Sequence, residues 1–95
     1  MKTRVTVDDQ PLAFIYRQPP ATRRRLREAL HAIENGTAFP EPLQDDLEGF
    51  YKVKVGEFRL LLQADAGELG PGFTVVFAER RATVYVMFSQ LLGLQ

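Results

Sequence analysis

The residues able to do chemistry in this chain are few in kind. It contains no Cys, one His (His31) and one Ser (Ser89). Thiol nucleophiles, disulfide frameworks, Cys-based zinc sites and clustered His ligands are therefore excluded by count. A Ser-His-acid triad would have to join Ser89 to His31, which stand in quite different sequence contexts. The acidic run Glu41, Asp45, Asp46, Glu48 lacks metal-ligand spacing and reads as a solubilising connection. No metal and no cofactor are expected, and any catalysis falls to Lys, Arg, Glu, Asp and Tyr.

The densest group of these is Lys52, Lys54 and Arg59. Phe50–Val55 and Phe58–Gln63 are strand-like runs separated by Gly56-Glu57, a Gly-X pair suited to a two-residue type II′ turn. That turn sets the register, pairing Val55 with Phe58, Lys54 with Arg59, Val53 with Leu60, and Lys52 with Leu61. One face then carries Tyr51, Val53, Val55, Phe58, Leu60 and Leu62, and the other gathers the three cations. Like charges placed opposite each other cost several tenths of a kcal/mol. Such a break in the local rules fits either a solvated face balanced by acids such as Glu79 or a site for a large anion, of which a phosphate backbone is the leading candidate.

Arg80-Arg81 and Tyr85 add cations and a phenol that converge on the same face if the chain returns beside the hairpin. A cation cluster stabilises the extra negative charge of a pentacoordinate phosphorane, and Tyr or Lys can move protons. Metal-free RNA cleavage with the 2′-hydroxyl as nucleophile is thus within reach of these residue types. Arg23, Arg24 and Arg27 flank an apolar stripe and read either as a solvated helix face or as contacts to structured RNA. His31 lies off that stripe and reads as a surface side chain.

The elements that position these residues follow from periodicity. The 95 residues suffice for one domain, spanning 1–95, with 45% hydrophobic and 25% charged residues, values that argue against disorder. Arg4–Val7 alternates as a short first strand. Asp8 or Asp9 caps a helix with Leu12, Ile15 and Tyr16 on one face, stopped by Pro19-Pro20. A second helix runs from about Ala21 to Asn35 on a Leu26, Leu30, Ile33 stripe, with Gly36 suited to its C-terminal cap. The short connection makes the pair a helical hairpin.

Residues 37–49 read as an irregular connection pinned by Phe39, Leu43 and Leu47. Beyond the hairpin, a Gly/Pro-rich loop over 66–72 leads to a strand at Phe73–Ala78, and the β-prone run Thr83–Met87 predicts a fourth. The tail from Ser89 to Gln95 reads equally as a short helix or as frayed chain. The fold class is α+β, with an N-terminal helical hairpin packed on a 3–4-stranded antiparallel sheet.

Net charge is zero but unevenly spread: residues 1–36 carry +3, 37–49 carry −4, 50–63 carry +2, 64–79 carry −3 and 80–95 carry +2. Neutrality is thus an average over separate patches. Apolar runs fall far short of a membrane span, and the N-terminus reaches Asp8 and Asp9 before a signal-peptide core forms. A cytoplasmic location is expected, with no membrane partner.

Together these segments resemble the RelE/ParE toxin superfamily over roughly residues 9–88. The resemblance rests on the second helix with its Gly stop, the approach Pro42, Leu43, Leu47, Gly49, the hairpin Tyr-Lys-x-Lys-x-Gly-x-aromatic-Arg at 51–59, and Arg-x-x-Val-Tyr at 81–85. It implies a toxin held inactive by a cognate antitoxin that wraps it. RelE-like members cut mRNA on the ribosome, in contact with rRNA, whereas ParE-like members inhibit DNA gyrase. By position, Lys52 and Lys54 match lysines acting on the 2′-hydroxyl and phosphate, Arg59 matches the arginine that stabilises the transition state, and Tyr85 matches a base-stacking tyrosine. Arg81 matches an arginine commonly found four residues earlier. A further arginine of the RelE nuclease falls at Glu79, with Arg80 beside it. The resemblance thus implies a metal-independent, ribosome-dependent endoribonuclease; the alternatives are a ParE-like gyrase inhibitor and a catalytically inactive binding module.

Overall fold

A computed structural model describes residues 2–68 and 70–94; Met1, Leu69 and Gln95 lie outside the described residues. In chain order the elements are β1 (Arg4–Val7), α1 (Asp9–Tyr16), α2 (Pro20–Glu34), β2 (Glu41–Pro42), a 3₁₀ turn (Asp45–Leu47), β3 (Phe50–Val55), β4 (Phe58–Gly67), β5 (Gly70–Arg80) and α3 (Val84–Leu91). The strands form one sheet in the order β1-β5-β4-β3-β2. The α+β class with a helical pair on a sheet is as expected. The sheet has five strands, and β1 runs parallel to β5, pairing Val5 with Phe73 and Val7 with Val75. Such pairing leaves no local turn signal, because its partners lie far apart in the chain.

The hairpin register is the one the turn dictates: Val55 opposite Phe58, Lys54 opposite Arg59, Val53 opposite Leu60, Lys52 opposite Leu61. Gly56 has φ +57°, and Asp45 is the one non-glycine with positive φ among the described residues, so Glu57 is not left-handed. That is the II′ pattern, in which the first turn residue alone needs glycine. Residues 66–67 and 70–72, expected as loop, extend β4 and β5 instead, with Ala66 paired to Pro71 and Gly67 to Gly70. The ladder satisfies their backbone groups despite poor strand propensity.

One sheet face is sealed by α1 and α2. Phe14, Ile15, Leu26, Leu30 and Ile33 pack on Val55, Leu60, Leu62, Val75 and Ala78, with Tyr51, Val53 and Phe58 at the margins. Leu26, Leu60, Leu62 and Val75 are fully buried, each worth about 1.5–3 kcal/mol relative to exposure. α2 buries the predicted stripe, and Gly36 closes its end with φ +77°. α1 is turned from expectation. It buries Pro11, Phe14 and Ile15 and leaves Leu12 and Tyr16 exposed, because the larger Phe14 ring packs edge-on against Phe58 at 5.4 Å. The Gln10 amide holds α1 to the sheet, donating to the Ala78 carbonyl and accepting from its N–H, both at 2.8 Å.

The other face differs from expectation in two ways. Thr83–Met87 is not a strand: α3 starts at Val84 and lays Val84 and Phe88, one helical turn apart, on Leu61 and Phe77. Tertiary burial here overrides the β propensity of a Thr-Val-Tyr-Val run. Leu43, Leu47 and Phe50 join this second apolar cluster, whereas Phe39 is 81% exposed and pins nothing. Among the described residues no helix is long and apolar enough to cross a membrane.

Candidate functional site

The open face of the sheet has two halves. Alternation along β3 sends Phe50, Lys52 and Lys54 to this side, and along β4 it sends Arg59 and Leu61, while Val53, Val55, Phe58 and Leu60 point to the helices. α3 covers the Phe50–Leu61–Phe77 half, with Phe50 and Phe88 edge-on at 5.0 Å. Lys52, Lys54 and Arg59 occupy the uncovered half, beside the hairpin turn. On β5 a bulge opposite Leu61/Leu62 shifts the alternation, since Leu61 pairs with Phe77 but Leu62 pairs with Val75. That shift puts Phe77 and Glu79 on the open side, and Glu79 stands opposite Arg59.

The three central side chains are held differently. Lys54 is exposed, with no ion pair among the described residues. Lys52 is half-buried and its ammonium lies 4.0 Å from a Glu41 carboxylate oxygen, because β2 pairs Glu41 with Lys52 across the sheet edge. Arg59 donates through Nη1 to the turn carbonyls of Gly56 (2.9 Å) and Phe58 (2.8 Å). Its guanidinium is thereby moored to the hairpin tip rather than to Glu79. Glu79 is half-buried, and its Oε1 accepts the Arg80 N–H at 3.0 Å.

Arg81 is exposed in the turn that links β5 to α3, its N–H bonded to the Glu57 carbonyl at 2.7 Å. Tyr85 lies in the first turn of α3, half-buried against the second apolar cluster. It therefore shares the face with Lys52, Lys54 and Arg59, delivered there by a helix and not by the strand the sequence predicts. Arg80 departs from expectation. Its partner in the ladder is Phe58, so it faces the helical side, where its guanidinium lies over the Phe58 ring at 5.4 Å and pairs with Glu57 at 3.2 Å. The odd–even alternation that brings Glu79 to the open face carries Arg80 away from it.

Arg23, Arg24 and Arg27 are likewise apart from this group, because α2 packs on the opposite face. Arg23 bonds the Tyr16 carbonyl at 3.5 Å, Arg27 lies over the Tyr16 ring at 5.9 Å, and Arg24 is exposed. His31 is a surface residue, its Nδ1 3.0 Å from a Glu34 carboxylate oxygen. Glu79 is foreseen from the sequence only as an acid able to balance the cations, and Glu41 only as part of a solubilising connection; their pairings with Arg59 and Lys52 come from strand neighbours that the hairpin turn does not fix.

Charge therefore changes sign along the open face. Cations crowd the hairpin end, while Asp8, Gln63, Asp65 and Thr74 line a shallow depression at the far end of β4 and β5. Among the described residues no group of three or more His, Asp or Glu converges as a metal site would require. What the cationic half can do is bind a polyanion, stabilise charge developing on a phosphate, and exchange protons through Lys, Glu and Tyr.

No protein-family profile matches the chain, and no curated protein matches it. Solved structures do. The chain is similar to a structure of the RelBE2 toxin–antitoxin complex from Mycobacterium tuberculosis, at 18% identity and TM-score 0.68, over 86% of this chain and 94% of that one. It is similar to a mutant of the Escherichia coli toxin RelE in the free state, at 15% identity and TM-score 0.68, over 100% of both chains. The YoeB/ParE toxin from Agrobacterium tumefaciens aligns at 16% identity and TM-score 0.63, over 83% of this chain and 99% of that one. The resemblance read from the hairpin and the Arg-x-x-Val-Tyr motif thus holds at the level of architecture: the chain has the fold of the RelE, YoeB and ParE toxins.

Proposed function

We propose that this chain is the toxin of a type II toxin–antitoxin pair and acts as a metal-independent mRNA endoribonuclease on the ribosome, in the cytoplasm. The observation that carries this reading is the convergence of Lys52, Lys54 and Arg59 on one uncovered sheet face, with Tyr85 brought alongside by α3. A protein-binding surface gains nothing from holding Lys54 against Arg59, whereas a phosphate between them offsets the repulsion. In the cleavage step the 2′-hydroxyl attacks the adjacent phosphorus. Arg59 and Lys52 stabilise the charge building on the phosphate oxygens, Arg81 steadies the backbone, and Tyr85 stacks on the neighbouring base. Arg23, Arg24, Arg27 and Arg80 lie off this face and serve as contacts to rRNA.

The partner that silences such a toxin is a cognate antitoxin. Its presence in the RelBE2 complex supports that expectation, and the exposed Val86, Met87 and Leu91 of α3, with Leu92 just past its end, offer it apolar surface. Expressing the chain without a partner and mapping mRNA ends tests the reading. Codon-phased cleavage, abolished by Lys54→Ala, is the expected result. Intact mRNA with broken or oversupercoiled DNA would instead establish a ParE-like gyrase inhibitor, and intact mRNA and DNA an inactive binding module.

A further inference from the structure

The residue on the open face that a phosphate-binding site does not call for is Glu79. Register places it at the end of a three-strand row: Lys54 on β3 opposite Arg59 on β4, and Arg59 opposite Glu79 on β5. Cross-strand partners share a face, so all three side chains rise from the same side. No ion pair joins Glu79 to a cation among the described residues, because Arg59 is turned to the Gly56 and Phe58 carbonyls. Its Oε1 is held by the Arg80 N–H, leaving Oε2 free to accept. An unneutralised carboxylate beside a phosphate site weakens substrate binding by like-charge repulsion. Its position suits proton transfer instead.

We propose that Glu79 is the general base of this site and Lys54 its general acid, an assignment that rests on the nuclease reading above. In-line displacement at phosphorus puts the entering and leaving oxygens on opposite sides, so base and acid must flank the group that holds the phosphate. The row supplies that order, with Arg59 in the middle and the outer strands about 10 Å apart at the usual strand spacing. Glu79 takes the proton of the 2′-hydroxyl as the O2′–P bond forms. Lys54 gives a proton to the departing 5′-oxygen as the P–O5′ bond breaks, and the products are a 2′,3′-cyclic phosphate and a 5′-hydroxyl. Arg59 meets the charge on the non-bridging oxygens. The charged and titratable groups on the elements around Glu79 are Arg59 on β4, Lys54 and Lys52 on β3, Glu57 and Arg81 in the adjoining turns, and Tyr85 on α3.

The mechanism has a distinctive pH signature. A carboxylate base and an ammonium donor act without prior loss of a proton, whereas an amine serving as base must first lose its own. Single-turnover cleavage of mRNA on programmed ribosomes, at saturating toxin and from about pH 6 to 8, distinguishes them. The wild-type rate is expected to be nearly flat. Glu79→Gln keeps the Oε1 acceptor for the Arg80 N–H, so the fold is retained, and it is expected to slow cleavage at least 100-fold. Its residual rate should rise about tenfold per pH unit, as hydroxide replaces the lost base, while substrate binding stays the same or tightens. Glu79→Asp, which keeps the carboxylate on a shorter arm, should retain part of the rate. A Glu79→Gln rate within threefold of wild type, or a wild-type rate that itself rises tenfold per unit, overturns the assignment and leaves the nuclease reading standing. A wild-type protein that does not cut at all overturns the nuclease reading itself.

Discussion

The two faces of the sheet are built from the same strands and follow opposite rules. Toward α1 and α2, alternate positions carry Val55, Leu60, Leu62 and Val75, all buried beneath the two helices. Toward α3, the same strands carry Phe50, Leu61 and Phe77 at one end and Lys52, Lys54, Arg59 and Glu79 at the other, and a helix of eight residues covers only the apolar end. A period of two lets adjacent residues answer to different selection: Val53 and Val55 hold the fold, and Lys52 and Lys54, alternating with them, point to the open face. Substitutions one residue apart should therefore separate stability from activity.

The largest contrast is between Lys54 on the open face and Leu62 on the helical face. Lys54→Ala removes an exposed side chain without an ion pair and should leave the melting temperature within a degree or two, while cleavage falls about 10²–10⁴-fold. Leu62→Ala does the reverse. It opens a cavity in a fully buried position and should destabilise by about 2–5 kcal/mol, with single-turnover cleavage near wild type at temperatures where the protein stays folded. Denaturant midpoints and single-turnover rates measured on both variants check the pair. Phe88→Ala falls between them. It removes the ring that packs on Phe50 and Phe77, costs about 3 kcal/mol, and by loosening α3 also lowers cleavage through Tyr85. A stable and fully active Phe88→Ala would show that the apolar half of the open face does not position the cationic half.

Legibility in the sequence divides along the same line. The hairpin register was readable because one Gly-X turn fixes every pair in it, and so was α2, whose stripe has the helical period. The open face was only half readable. Leu60, Leu61 and Leu62 in succession signal burial on both sides of β4, yet alternation from the turn alone assigns Leu61 to the polar side. Thr83–Met87 reads as a strand because three of its five residues, Thr83, Val84 and Val86, are β-branched, and only the Val84–Phe88 spacing hints at a helix. Lys52, Lys54 and Arg59 were recoverable because they sit on the hairpin. The Lys52–Glu41 and Arg59–Glu79 neighbours depend on strand pairs set by longer-range packing, and the β5 bulge hides the second of them.

The hairpin tip couples the two faces and supplies a smaller effect. Arg25 of α2 reaches the turn from the helical side, and a Cβ added at Gly56 would lie 2.8 Å from its Nη2. Gly56 also has φ +57°, and its carbonyl accepts from Arg59 on the open side. Gly56→Ala should cost about 1–2 kcal/mol from the left-handed backbone alone, and the Arg25 guanidinium, being the flexible end of its side chain, can swing away. Because the turn also moors Arg59, cleavage should fall along with stability. Unaltered cleavage in Gly56→Ala would separate the Arg59 mooring from function.

The smallest expected change concerns Glu41, at the edge where β2 meets β3. Its carboxylate lies 4.0 Å from the Lys52 ammonium and is 59% exposed, so the pair contributes at most a few tenths of a kcal/mol to stability. Glu41→Gln should therefore leave the denaturant midpoint unchanged. RNA binding should respond in the opposite sense, because the substitution releases a cation already pointed at the site. Each additional phosphate contact steepens the dependence of log K on log salt by about 0.7 for a single strand. Glu41→Gln should accordingly bind a short single-stranded RNA more tightly at low salt, with a slope steeper by up to that amount, and the advantage should fade as salt rises. An unchanged slope would mean that Lys52 faces Glu41 for structural reasons and makes no contact with the nucleic acid, confining the cationic site to Lys54 and Arg59.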